Sequence, residues 1–209
     1  EQRGERVVTV HATKKLMAKL SVDATGLLPL RDNTAYLAER ENNAPSPLGS
    51  WHANLLTLQR RNCVLLVHDQ TRFPLFIPAL KKADLANLNW WFSDALMNTL
   101  LKCGATDRLM DQAASMLQRL QIDTVCDRSV QGTMNQMAGD IEHLLYYDSV
   151  NVAEITGYRV GAWLAHRPCT VKGRKDCVWP DREFFALLEQ AGAAGSRPDN
   201  VIKLEAYRK

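Results

Sequence analysis

Long apolar runs are missing from this chain. Nowhere in its 209 residues do the roughly 18 apolar residues of a membrane-crossing helix follow one another, so no membrane partner is expected. The opening EQRGERVVTV lacks the apolar core that follows the basic start of a secretory signal, and no such signal is expected. Cysteine is sparse and odd in number. Cys63, Cys103, Cys126, Cys169 and Cys177 are scattered, which argues against the disulfide framework of a small secreted protein. Cys169 and Cys177 are too far apart for a zinc knuckle, and none of the five histidines stands in an HExxH or HxH arrangement, so neither metal nor cofactor is expected. The phosphate loops GxxxxGK[ST] and GxGxxG do not occur. A charge excess is lacking too: the formal net charge of +3 permits an acidic partner without demanding one. These absences make a cytoplasmic protein with reduced thiols the expectation, with Cys63, Cys103 and Cys126 mostly buried.

What is present is an ordinary globular composition, 46% hydrophobic and 23% charged, in a chain long enough to bury a core without staples. A single domain is expected over 1–209, with its core at about 7–190 and a peripheral tail at 193–209. Residues 7–11 alternate as a short strand and 13–20 read as a short helix. Residues 23–50, with Pro29, Pro45 and Pro47, read as a connector with one helical turn near Tyr36. Three apolar runs, 54–59, 63–68 and 73–77, are separated by short polar breaks, which predicts an antiparallel meander. Helical periodicity then marks 88–100, closed by Gly104, and 109–120. Residues 121–126 alternate as a strand, and helices are expected at 130–144, at about 152–165 and from Pro180 to Gly192. Gly157 and Gly161, one turn apart, predict close helix packing. The fold class is α+β: an antiparallel sheet of about four to five strands covered by helices, with a mainly helical C-terminal half.

Three polar elements stand out. In "CDRSVQGTMNQM", residues 126–137, Asp127 or Ser129 can cap the following helix. A cap does not account for Arg128, nor for Gly132 and Asn135 inside the first two turns, where both are poor helix formers. Arginine, serine and free N–H groups at a helix N-terminus suit an anion. "HATKK" has the same layout, a strand end, a capping Thr13 and then Lys14 and Lys15, whose charges oppose the helix dipole. The third element is the turn carrying Asp69, Thr71 and Arg72. Successive hairpin turns lie at opposite ends of a sheet, so Arg60 and Arg61 belong at the other end from Arg72, and the strand-to-helix switch at 126–129 puts Arg128 at the same end of the sheet as Arg72.

"VHATKKLMAKL", "RRNCVLLVHDQTRFPLFIPALKKADLANL" and "DRSVQGTMNQM" together resemble an uncharacterised bacterial family, a domain of unknown function. The resemblance rests on Thr13 to Leu16, on Thr71, Arg72 and Pro74, and on Arg128, Ser129, Gly132, Met134 and Asn135. Phe73, Thr133 and Gln136 depart from its pattern. It implies kinship over roughly 7–190 and no activity. The residues themselves suggest a cationic site built from Lys14, Lys15, Arg72, Arg128, Ser129 and Asn135, which accepts the phosphate of a nucleic acid or nucleotide. Two alternatives stay open. One is a metal-independent nuclease with His11 or His68 as acid/base. The other is a protein-interaction module of a defence, toxin–antitoxin or inhibitor system that uses exposed tryptophan and the Arg60/Arg61 turn.

Overall fold

The computed structural model describes residues 7–40, 46–171 and 173–195. Of the tail expected at 193–209, residues 193–195 continue the last helix and 196–209 lie outside the described residues. Five strands form one sheet: β1 (Val8–Ala12), β2 (Ser50–Leu58), β3 (Arg61–His68), β4 (Pro74–Leu80) and β5 (Leu120–Asp123). Seven helices among the described residues accompany them: α1 (Lys14–Met17), α2 (Lys82–Leu85), α3 (Leu88–Lys102), α4 (Asp107–Met116), α5 (Arg128–Tyr147), α6 (Gly157–Ala165) and α7 (Pro180–Gly195). The connector after α1 contains a nine-residue 3-10 helix, Asp32–Arg40, longer than the single turn expected there.

The expected meander is there, β2–β3–β4, each pair antiparallel. The sheet as a whole is mixed, a correction to the antiparallel expectation. Its order is β4-β3-β2-β1-β5, and β1 runs parallel to both β2 and β5. The reason is connectivity. Residues 13–49 carry the chain from β1 to β2, and 81–119 carry it from β4 to β5; long crossovers of this kind join parallel strands, whereas two-residue turns join antiparallel ones.

Side chains alternate across the sheet, and each face has its own core. Val8, Val10, Ala12, Trp51, Ala53 and Leu55 face α3, α4 and α7. Trp51, Phe92, Phe73 and Phe184 meet there edge-on or stacked, with centroids 4.5–5.7 Å apart, burying large apolar area. Leu58, Cys63, Leu65 and Val67 face α5 and α6 through Val130, Met134, Met137, Ile141, Val160 and Leu164. The two glycines of α6 do permit close packing. A Cβ on Gly157 would stand 2.3 Å from the Phe76 carbonyl oxygen, and one on Gly161 would stand 3.1 Å from the Thr99 side chain.

This arrangement opens a crevice. The chain leaving β1 joins the core on the α3 side, since Leu16, Leu28 and Leu37 belong there, while the chain leaving β5 turns into α5 on the opposite side. Where two neighbouring parallel strands send their continuations to opposite faces, their carboxyl ends are left uncovered, and α/β proteins bind ligands at such points.

Candidate functional site

Polar side chains from three strands and one turn meet at this crevice. His11 near the end of β1 is in register with His52 on β2 and with Asp123 on β5, so all three side chains emerge on the α5 face. Asp69, just past β3, completes the row. His11 Nδ1 lies 2.5 Å from Asp123 Oδ1, which also accepts the Val125 N–H at 3.0 Å. Across the ring, His11 Nε2 lies 3.6 Å from Asp69 Oδ2. The His11 side chain is 13% exposed and those of Asp69 and Asp123 are 26% and 41% exposed, so solvent reaches the cluster.

His52 packs 4.9 Å from His11, centroid to centroid, yet its chemistry differs. The Asp127 backbone N–H donates to His52 Nε2 at 2.8 Å, so that nitrogen presents a lone pair. Its hydrogen therefore sits on Nδ1, which donates to Asp69 Oδ1 at 2.7 Å. Both nitrogens are spoken for. His52 ties Asp69 to the start of α5 and leaves Asp69 Oδ2 turned toward His11. Of the two histidines at the crevice, His11 is the one with a nitrogen free for proton transfer, and Asp123 fixes the orientation of its ring.

His68, the other histidine considered as acid/base, does not reach the crevice. It is 1% exposed, packed against Trp51 and Phe184, and accepts the Thr71 N–H through Nδ1. Burial pushes its pKa down to about 4, so it is neutral at pH 7. It is a core histidine that shapes the β3–β4 turn.

The expected polar cluster forms only in part. Arg72 Nη2 donates to Ser129 Oγ at 3.1 Å, which places Arg72 at the N-terminus of α5 beside Arg128. Gln59 bonds to Val150 and Val152, just past the C-terminus of α5. Twenty helical residues span about 30 Å, so Arg60 and Arg61 lie at the opposite end, as hairpin alternation requires. Arg72 is not a surface clamp: it is 3% exposed, and burial lowers its pKa against the opposing charges of Asp127 and Asp69. Its Nε is buried with no hydrogen-bond partner, and its backbone is left-handed, φ 62, where glycine or asparagine is usual.

Four expectations meet a different geometry. The N–H groups at the start of α5 are not all free, because the Asp127 carboxylate accepts those of Ser129 and Val130; these bonds hold its pKa below the usual carboxylate value. Lys15 points away from the crevice, its Nζ donating to Thr57 Oγ1 far along β2, and Lys14 is exposed with no bond to the crevice among the described residues. Asn135 is exposed two turns down α5, about 10 Å from its start. Thr13 acts as the expected cap of α1 and also donates to Asn54. Cys126 is exposed, not buried, because the strand it was assigned to ends at Asp123; Cys63 is buried and Cys103 half-buried, and all five thiols are free. Among the described residues no group of three or more histidine, cysteine or acidic side chains has the geometry to hold a metal ion.

His52 and Asp123 carry no local signal that sequence reasoning can use. Their roles depend on β1 lying between β2 and β5, a contact spanning 112 residues for His11 and Asp123. Comparison with known proteins agrees with the kinship read from the motifs. No curated protein and no solved structure matches the chain. A family model does, over residues 9–183, and the chain belongs to that family, DUF6933, a domain of unknown function.

Proposed function

We propose that this member of the family carries a general acid–base site in which His11, oriented by Asp123, moves a proton on a phosphate-ester substrate of the nucleotide or nucleic-acid class. The observation that carries this reading is the bracketing of His11, with Asp123 at Nδ1 and Asp69 Oδ2 facing Nε2, while His52 has both nitrogens engaged. A carboxylate at one imidazole nitrogen and an open position at the other is what proton transfer needs. The 3.6 Å separation of His11 Nε2 and Asp69 Oδ2 is long for a direct hydrogen bond, and a water seated beside the pair, on its open side, would be the nucleophile of a hydrolysis. Arg128, exposed on the first residue of α5, offers the substrate a cation. Arg72 fixes Ser129 from behind and balances Asp69 and Asp127.

The test is turnover of bis-p-nitrophenyl phosphate, p-nitrophenyl phosphate and short RNA in the presence of a chelator. Wild type should turn over at least one of them without metal. His11→Ala should lose about 10²- to 10⁴-fold in rate, and Arg128→Ala should mainly raise KM. A second reading, anion binding without chemistry, is favoured by the exposed Arg128, which no carboxylate of the described residues pairs. It predicts saturable nucleotide binding that Arg128→Ala weakens and His11→Ala leaves intact, with no turnover.

A further inference from the structure

The end of the sheet away from His11 has features that the crevice does not use. The β2–β3 turn has two central residues, Gln59 and Arg60, both left-handed at φ 47 and φ 64. Asn-Gly is the usual pair in such a turn, because side chains resist this backbone. The structure explains Gln59: its amide accepts the Val152 N–H and donates to the Val150 carbonyl, pinning the loop after α5. Arg60 is exposed and makes no such bond among the described residues, so its side chain does not repay the strain by folding. Ser149, φ 51, adds a third strained residue. Of the five non-glycine residues with positive φ among those described, Gln59 and Ser149 thus line one groove and Arg60 follows Gln59 beside it, and such residues gather at binding sites.

That groove holds about 640 Å³ and is lined by Thr57, Gln59, Glu142, Tyr146, Ser149 and Asn151 among others. Tyr146 is 77% exposed and Tyr147 beside it 67%, their rings edge to face at 5.1 Å. Lys15 reaches the rim through its bond to Thr57, and Arg60 and Arg61 follow Gln59. None of these three cations is paired with a carboxylate of the described residues. We propose that this groove is a second binding surface, separate from the crevice, for single-stranded nucleic acid. The backbone phosphates lie along Lys15, Arg60 and Arg61, and a base stacks on Tyr146. Glu142, the carboxylate of the lining, repels phosphate from the α5 wall and so assigns the backbone to the hairpin side. A single strand is specified because a ring as exposed as Tyr146 stacks only on a base freed from its neighbours. The proposal does not depend on what His11 does.

The probe is a fluorescein-labelled single strand of about 15 nucleotides, titrated by anisotropy between about 50 and 200 mM salt. Three cations predict a log–log slope of about −2, at about −0.7 each. Arg60→Gly, which suits the left-handed backbone and keeps the turn, should shorten the slope by about 0.7, and so should Arg61→Ala. Tyr146→Ala should weaken binding about 5- to 150-fold. The losses from Arg60→Gly, Arg61→Ala and Tyr146→Ala should appear undiminished in an Arg128→Ala background, which separates this surface from the crevice, and exposed Lys102→Ala, remote from both, should bind as wild type does. No binding at about 50 mM salt, undiminished binding by the Arg60→Gly, Arg61→Ala double variant, or a loss confined to Arg128→Ala would each overturn the proposal. A duplex binding as tightly as the single strand would overturn it as well. Retention of a protein with no oligonucleotide binding would assign the groove to a protein partner and end the nucleic-acid reading.

Discussion

Replacing Arg72 with methionine keeps the stem of the side chain and removes its charge. Two terms of similar size then oppose each other. The bond from Nη2 to Ser129 Oγ, a hydrogen bond from a charged donor, is worth about 1.5–3 kcal/mol and is lost. The buried, unpartnered Nε costs about 1–3 kcal/mol in the native protein, and that penalty is lost too. Stranded charge would normally tip the balance, but Asp69 and Asp127 both reach solvent, so neither is left as a buried ion. Arg72→Met should therefore lie within about 1 kcal/mol of wild type. Urea unfolding followed by the fluorescence of buried Trp51 measures this. With a slope of about 2 kcal/mol/M, the midpoint should move by less than about 0.5 M and the slope should not change. Arg72→Gly removes the backbone strain, worth about 1 kcal/mol, yet empties the space beneath the turn, and should be the less stable variant. A loss of about 3 kcal/mol or more in Arg72→Met would refute the reasoning, because Arg72 would then be held for stability and not for the charge it brings to the crevice.

Three other outcomes are expected. The His68 pKa of about 4 lies below its usual 6.5, so the unfolded chain takes the proton first; stability is full above about pH 6.5 and falls by about 3 kcal/mol toward pH 4, and His68→Gln should flatten that part of the urea-midpoint profile. Gly157→Ala drives a methyl into the Phe76 carbonyl and Pro78 and should cost at least about 1–3 kcal/mol, read as a lower urea midpoint. Iodoacetamide at pH 8 should modify exposed Cys126 and Cys177 first, while Cys63, Cys169 and Cys103, whose thiols burial pushes up (Cys103 to about 12), should react only after unfolding; mass spectrometry of timed samples shows the order.

Local features of the chain were legible and distant pairings were not. The β2–β3–β4 meander follows from apolar runs a few residues apart, and the stripe Val130, Met134, Met137, Ile141 announces α5 from its own spacing. That Arg72 and the start of α5 share one end of the sheet follows from turn alternation and the strand-to-helix switch, while the bond from Arg72 to Ser129 does not. The parallel placement of β1 between β2 and β5 has no such trace, because crossovers leave the choice of neighbour to the packing of α3, α4 and α7. His11, His52 and Asp123 are therefore ordinary strand residues in the sequence and become a cluster only in the sheet. Lys15 was misplaced for a related reason. A basic pair after a strand looks like the anion site at α5, but α1 continues past the end of β1 along β2 and carries Lys15 toward Thr57.

Chemical rescue of His11 tests the central claim most directly. The His11 side chain is open enough to solvent that free imidazole can enter the space left by His11→Ala and meet Asp123. With the best phosphodiester substrate of the wild type, the variant should lose about 10²- to 10⁴-fold in rate. Added imidazole should restore part of that rate in proportion to its concentration, and only above the pH at which free imidazole is neutral. A His11→Ala protein that turns over as fast as wild type would contradict the account, because the proton would then move through another group.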